Sequence, residues 1–141
     1  MRVGSFAVAR PAYYDRNATS TLQSYGADLA PHTTTTRFTT TVAAGTKLIV
    51  EVAQAFTMTT SAATTAGRGF SQVQVTSGGT SVDLARVDQI QLSTSQAATQ
   101  QLIPLSLTVY AGETVTGVTF NGSTGGTLFH VAAFKGTTYS A

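Results

Sequence analysis

Few side chains in this sequence could do chemistry, and they are widely spaced. The chain has two histidines, His32 and His130, six acidic residues and no cysteine. None of them stands at a spacing that marks a hydrolytic triad, a zinc site or a phosphate-binding loop. His130 shares its parity with Leu128 and Phe134, so we expect a core or interface histidine. His32 follows Pro31 and is expected to hold a hydrogen bond where the β region starts.

The closest carboxylates are Asp83 and Asp88, which flank Arg86. A calcium site needs more oxygen donors in one loop than this pair offers, so the three residues are expected to form a small polar cluster. A glycosidase needs two carboxylates across a cleft, and nothing in the local sequence brings Glu51 to Glu113. The sequence therefore predicts a protein that is not an enzyme and binds no cofactor or metal. An enzyme site assembled from distant acids stays open.

The composition favours β-structure with a weakly charged surface. Threonine is the commonest residue type, and charged residues make up 10% of the chain, against roughly 25% in ordinary soluble domains. Threonine suits a pleated sheet, and a surface of Thr, Ser and Gln repels its neighbours weakly, which suits dense assembly. The basic residues behind the net charge of +2 are scattered, so no nucleic-acid partner is predicted.

Apolar runs in the chain are short. No run approaches the roughly 20 residues of a membrane helix, so no membrane partner is predicted. Near the N-terminus the apolar run Phe6–Val8 is too short for the core of a signal peptide. The sequence therefore predicts a protein made in the cytoplasm without Sec-type export.

Alternating apolar and polar residues predict an antiparallel sandwich. The clearest stretch, 37–58, reads as two strands around a glycine turn and is interpreted as the core hairpin. In its second strand only Gln54 breaks an apolar row that is predicted to face inward: Leu48, Val50, Val52, Phe56 and Met58. Further strands are predicted at 69–76, 81–94, 101–109, 114–120 and 127–135. About eight short strands with regular turns favour an all-β antiparallel sandwich of jelly-roll type.

Local signals refine this arrangement. Pro104 lacks a donor for the strand ladder, which predicts that its strand lies at a sheet edge. Gly117 marks a change of parity, which predicts a β-bulge there. Residues 41–46 and 108–113 share the form T-V-x-A-G-x between two strands, so similar turns are expected at both. The glycine-rich segment 121–126 is interpreted as a hairpin loop.

Residues 1–31 differ from the rest and are predicted to form an N-terminal arm ahead of a jelly-roll domain at 32–141. The segment 10–16 is a Tyr- and Arg-rich cluster, and these residue types anchor interfaces. It is interpreted either as an arm laid over its own domain or as one that reaches a neighbouring subunit. The last strand is apolar on both faces, so the arm or another subunit must cover it. The predicted capsid or subunit contact residues are Arg10, Tyr13, Tyr14, Arg16, Tyr25, Phe129 and Phe134.

Several turn and strand motifs along residues 10–139 recur together in one known group of proteins. They are Pro31-His32, Thr36-Arg37-Phe38-Thr39, Val42–Gly45, Leu48–Val52, Val109–Glu113, Ser123–Thr127 and Lys135–Tyr139. In these motifs the chain resembles the jelly-roll capsid cement (decoration) proteins of tailed bacteriophages. The resemblance implies a structural protein on the outer surface of the phage head, where trimers join adjacent capsomers. Its implied partners are the major capsid protein and further copies of the chain in a homotrimer.

A second hypothesis is a receptor- or carbohydrate-binding β-sandwich of a phage fibre or tail. The loops 60–68 and 95–101 would then carry the binding site. Sugar sites usually stack their ligands on aromatic rings, whereas both loops lack aromatic residues and the chain has no tryptophan. The cement interpretation is therefore preferred.

Overall fold

The computed structural model describes residues 18–29, 33–61, 67–91, 98–122, 124 and 126–141. Over these ranges the chain forms eight strands in two four-stranded sheets. The strands are β1 (Thr19–Leu29), β2 (Thr33–Thr41), β3 (Thr46–Ser61), β4 (Gly67–Ser77), β5 (Thr80–Gln91), β6 (Ala98–Tyr110), β7 (Thr114–Asn121) and β8 (Thr127–Ser140).

The strand order confirms the predicted jelly roll. Sheet A has the order β1-β8-β3-β6 and sheet B the order β2-β7-β4-β5, with antiparallel pairing in both. The chain can be described as one long hairpin whose two arms pair along their length, through the strand pairs β1–β8, β2–β7, β3–β6 and β4–β5. Winding that hairpin brings β8 against β3 and β7 against β4, which is the jelly-roll topology. As Pro104 predicts, β6 lies at the edge of sheet A.

Strand β1 lies within the segment 1–31 that the sequence analysis assigned to an arm. All 11 of its residues pair with β8, so this strand belongs to the sandwich. The sequence did not reveal it because the alternation is weak: Leu22 has the opposite parity to Tyr25 and Leu29. The division into arm and domain stays a prediction, and an arm separate from the sheets must lie before Thr19.

The stretch 37–58 is not a hairpin, contrary to expectation. Strand β2 belongs to sheet B and β3 to sheet A, so the turn at 43–46 is a corner between the sheets. A related corner at 110–113 leads back from β6 to β7. The segment 121–126 likewise connects β7 of sheet B to β8 of sheet A, so the predicted hairpin loop there is also wrong. The turn at Ser77-Gly78-Gly79, in contrast, closes a hairpin, since it joins the paired strands β4 and β5.

The two segments that share the form T-V-x-A-G-x, 41–46 and 108–113, adopt the same turn. In each corner the residue after the glycine donates its N–H to a carbonyl three residues back, over 3.1 Å for Thr46 and 3.0 Å for Glu113. The glycines have φ of 76° at Gly45 and 86° at Gly112, a region that residues with a Cβ rarely adopt. The corners also bind each other, because Val42 donates to the carbonyl of Glu113 over 3.0 Å and accepts from Gly112 over 2.9 Å.

Glu113 links this corner to its neighbours through its side chain. Hydrogen bonds from Ser77 and from the Tyr110 N–H, the latter 2.7 Å long, lower the pKa of Glu113 below its ordinary value of 4.5. A depressed folded-state pKa stabilises the fold above pH 4.5 and loses that contribution as the pH falls through the folded pKa. Glu113→Gln is therefore expected to melt at a lower temperature than wild type at pH 7. Calorimetric melts at pH 7 and pH 3 check this, because the gap should be smaller at pH 3 than at pH 7; an unchanged gap would contradict the charge-based account.

A slip in the pairing at Glu51 decides which side chains of β3 face the core. Strand β3 pairs with β8 through Val50–Gly136 and then Val52–Lys135, so Glu51 is an extra residue and the parity changes after it. Leu48 and Val50 are buried before the slip, and the buried residues after it are Ala53, Ala55, Thr57 and Thr59. The predicted inward orientation is therefore wrong for Val52, Phe56 and Met58, which face outward.

The bulge expected at Gly117 lies instead on the partner strand. Strand β7 alternates without a break, and the register slips in β2 between Thr36 and Phe38. Gly117 is needed for packing, because the ring of Phe38 occupies the space that a Cβ on residue 117 would fill. That ring also contacts Phe134, with centroids 5.7 Å apart.

The interior of the sandwich has an apolar half and a polar half. The apolar half lies towards the two corners and includes Leu48, Val50, Val73, Val109, Val115 and Phe134. The polar half contains the buried polar residues Thr57, Thr59, Ser71, Gln89, Thr119, Asn121 and His130. Because these side chains come from both sheets, hydrogen bonds link the sheets at this end in addition to the packing of the buried Leu128.

Candidate functional site

The outer surface of sheet A is the most unusual surface of the described molecule. Beyond the slip at Glu51, alternate residues of three adjacent strands point away from the core. We call this surface face A. It consists of Val52, Gln54, Phe56 and Met58 from β3, Phe129, Val131, Ala133 and Lys135 from β8, and Ala98, Gln100, Leu102 and Pro104 from β6.

Face A is largely apolar. The rings of Phe56 and Phe129 pack edge to face with centroids 6.3 Å apart, a favourable aromatic geometry. Beside them Met58 is 38% exposed and Leu102 is 56% exposed. Apolar surfaces of this kind are typical of sites of contact with protein or another apolar partner.

An open depression lies at the end of face A next to the slip at Glu51. Its volume is ≈ 190 Å³, and Val52, Gln54, Leu102, Ala133, Phe134 and Lys135 line it. The amide of Gln54 and the ammonium group of Lys135 give the depression two polar groups in a mainly apolar wall. This composition suits an anchoring side chain from a partner better than a polar small molecule.

The outer surface of sheet B has the opposite character. We call it face B; its described residues include Thr39, Thr116, Gln72, Gln74 and Asp83, and Gln72 donates hydrogen bonds to Gln74 and Asp83. Its aromatic pair, Phe70 and Phe120, has ring centroids 5.6 Å apart. One of these rings is covered, because the guanidinium group of Arg86 lies 4.3 Å from the centroid of Phe70.

The cluster of Asp83, Arg86 and Asp88 is occupied by internal bonds. Arg86 binds Asp88 through two nitrogens, each 3.1 Å from a carboxylate oxygen. The hydrogen bonds that Arg86 donates to Asp88 raise the pKa of Arg86 above its ordinary value. Among the described residues, no group of three or more His, Cys, Asp or Glu side chains could hold a metal ion.

Strand β8 carries two of the predicted contact residues, Phe129 and Phe134, and their side chains lie on opposite sides of sheet A. Phe129 is on face A, where its contact with a partner stays a prediction. Phe134 is 1% exposed and packs on Phe38, so its side chain belongs to the core. Tyr25 lies in β1 opposite Ala132. The other predicted contact residues, Arg10, Tyr13, Tyr14 and Arg16, lie outside the described residues, as does His32.

The sequence analysis missed most of face A for one reason. It assumed a single parity along β3, and the slip at Glu51 changes that parity. Gln54 was the available signal, because a glutamine that interrupts an apolar row fits an outer face better than a core. The small side chains of Ala53 and Ala55 fit the narrow space between two sheets, which is consistent with their burial.

A buried serine–histidine pair also escaped the sequence analysis. The Oγ of Ser71 lies 2.9 Å from Nδ1 of His130 and donates its proton to the carbonyl of Phe56 over 2.8 Å. Since the hydroxyl has only that proton, Nδ1 of His130 must be the donor in the bond between them. Both side chains are 0% exposed. The pair is therefore arranged as a link between sheets A and B, and His130 is a core residue as predicted.

Comparisons with known proteins give distant structural likenesses alone. No protein-family model matches the chain, and no curated protein matches its sequence. A chain of infectious bursal disease virus, Gx strain, is 12% identical with a TM-score of 0.44; the alignment covers 89% of this chain and 33% of that one. For a chain of the Gt strain the values are 15%, 0.38, 89% and 34%. The chain thus spans about a third of these structures, and the jelly-roll assignment rests on its own strand order.

Among the residues that the structure describes, no helix has the length and hydropathy needed to cross a membrane.

Proposed function

We propose that the protein is a structural component of a virion, namely a cement (decoration) protein of a phage head. It binds the outer surface of the capsid as a homotrimer and stabilises contacts between capsomers. Its partners are the major capsid protein and other copies of itself, after synthesis in the host cytoplasm. The trimer, the phage and the position on the head follow from the resemblance of its motifs to cement proteins.

The observation that carries this proposal is the contrast between the two outer faces. Face A presents Phe56, Phe129 and Leu102 on its outer side, whereas on face B the guanidinium group of Arg86 covers the ring of Phe70. Burying apolar area contributes roughly 25 cal/mol per Å², so face A gains most by contact with another protein surface. We therefore assign face A to the contact with the shell or with the neighbouring subunit.

The weakly charged surface supports a protein that works in many copies. Charged residues make up 10% of the chain, and the polar described part of face B is built mainly from Thr and Gln. Copies that repel each other weakly can sit close together on a shell. A trimer that holds several capsomers at once then multiplies modest individual contacts, because each further contact forms at high effective concentration.

A matched pair of surface variants tests the proposal. Leu102 on face A is 56% exposed and Val82 in β5 is 58% exposed, so either position accepts aspartate in the free protein. Burying an unpaired carboxylate in an apolar contact costs several kcal/mol, and each 1.4 kcal/mol is tenfold in affinity. Leu102→Asp is therefore expected to weaken binding at least about tenfold, and Val82→Asp to bind as wild type does. Co-sedimentation with heads of the encoding phage that lack the protein measures binding.

The wild-type and variant results answer separate questions. A wild-type protein that stays monomeric in sedimentation velocity and fails to bind heads would sink the cement role. In that case, binding to a glycan array would favour the receptor-binding alternative. Wild-type binding that Leu102→Asp leaves intact would retain the cement role but remove face A as the contact surface.

A further inference from the structure

The depression on face A results from one short side chain among longer ones. Ala133 lies opposite Gln54 of β3, and Gln54 lies opposite Leu102 of β6. Lys135 follows Ala133 on the same side of β8. Because alanine has only a methyl group, the surface above it is hollow. The volume of ≈ 190 Å³ is below the roughly 300–1,000 Å³ of small-molecule pockets and has room for one large side chain.

Two polar groups in the wall of the depression are available to a partner. Among the described residues, no group forms an ion pair or hydrogen bond with the ammonium of Lys135 or the side-chain amide of Gln54. An ammonium group binds a carboxylate through charge-assisted hydrogen bonds, which are stronger than neutral ones. An amide can both donate to and accept from a peptide group. The depression therefore combines an apolar hollow with a cationic rim.

We infer that the depression accepts an apolar side chain of the major capsid protein that has a carboxylate close to it in the sequence. The apolar side chain contacts Val52 and Leu102, and the carboxylate pairs with Lys135. The inference rests on the proposed cement function and names the chemistry of its contact on face A. A single anchor in a pocket, surrounded by contacts of smaller effect, is the usual form of an interface hot spot.

The described part of a second copy offers no matching anchor. Its exposed large apolar side chains are Met58, Val82, Leu102 and Tyr110, and of these Val82 alone has an acidic residue within two positions. That residue, Asp83, already accepts a hydrogen bond from Gln72. The charge of Lys135 is thus matched better by a carboxylate of the shell, and the shell is the occupant that we assign.

Filling the depression tests the anchor. Ala133→Leu places a larger apolar side chain in the hollow, and Ala98→Leu adds the same side chain at the exposed far end of face A, opposite Met58. Ala133→Leu is expected to bind phage heads at least about tenfold more weakly than wild type, and Ala98→Leu to bind within about twofold of it. A flat apolar contact would instead tolerate both, since each leucine adds apolar area. Co-sedimentation with heads that lack the protein measures binding, and circular dichroism verifies the fold.

Removing the charge tests the carboxylate. Lys135→Met keeps a side chain of similar length without the ammonium group, and Lys47→Met at the start of β3 is the control for the loss of one positive charge. Lys135→Met is expected to bind heads about fivefold more weakly than wild type at low salt. The difference should shrink at about 1 M salt, where the charges are screened. Lys135→Arg should retain most of the binding, and Lys47→Met should bind as wild type does.

Each other outcome overturns the inference. Ala133→Leu that binds as wild type would show a flat contact, and Lys135→Met that binds as wild type would show that no carboxylate pairs there. A changed oligomeric state of either variant in sedimentation velocity without heads would show that the depression holds a second copy. In these cases wild-type protein still binds heads, so the cement role is retained. Wild-type protein that does not bind heads would overturn both the cement role and the inference.

Discussion

Replacing Phe134 with alanine is expected to lower the free energy of unfolding by about 3–5 kcal/mol, because a large buried ring is lost and a cavity remains. Phe134 is 1% exposed and packs against Phe38 from the opposite sheet. The substitution therefore removes an apolar bridge between sheets A and B in the apolar half of the interior. A domain of ordinary stability has only about 5–15 kcal/mol to lose, so this variant should be close to unfolding at 37 °C.

Phe129→Ala is the matched control, since Phe129 lies on the same strand but on face A. Loss of the Phe129 ring removes the edge-to-face contact with Phe56 and is expected to lower the free energy of unfolding by about 1–2 kcal/mol. Urea unfolding followed by far-UV circular dichroism measures both variants. Equal losses would contradict the assignment of one ring to the core and the other to the surface. A loss of head binding in Phe129→Ala, with the fold retained, would further support face A as the contact.

The alternation in the sequence was sufficient to predict strands but not their partners. The segments around β2, β4 and β6 were found because each keeps one parity over most of its length, while those around β7 and β8 were recognised although apolar residues occur on both of their parities. Alternation states which side chains share a face, and it contains no information on which sheet a strand joins. The stretch 37–58 shows this limit, since its two strands follow each other in sequence and belong to different sheets.

Only the part of face A on β8 was predicted from the sequence, because β8 has no extra residue that changes its parity. Strand β8 keeps its parity through Phe129 and Phe134, so its two apolar faces were recognised from the sequence. Strand β3 slips at Glu51, and a single inserted residue has no period by which a pattern could reveal it. The change of parity in β3 is nevertheless physically reasonable, because it places the hydroxyl groups of Thr57 and Thr59 in the polar interior and the side chains of Phe56 and Met58 on the outer face.

The polar half of the interior depends on Gln89, whose amide joins two threonines of the opposite sheet. Thr57 donates its hydroxyl to the Gln89 oxygen over 2.9 Å, and the Gln89 nitrogen donates to the Thr59 hydroxyl over 2.8 Å. Gln89 is 6% exposed, and the threonines are 0% and 3% exposed. Water therefore cannot replace these bonds without opening the sandwich.

Gln89→Leu is accordingly expected to destabilise the fold by about 2–4 kcal/mol, because two buried hydroxyl groups each lose a partner at about 1–3 kcal/mol. The triple variant Gln89→Leu, Thr57→Val, Thr59→Val removes both sides of the bonds and keeps the shapes similar, so it should come within about 1 kcal/mol of wild type. Urea unfolding of the two variants separates bonding from packing. If the triple variant were as unstable as Gln89→Leu, the fit of the leucine side chain would be the cause. If both were as stable as wild type, the two sheets would be joined at this end by contacts other than the Gln89 amide.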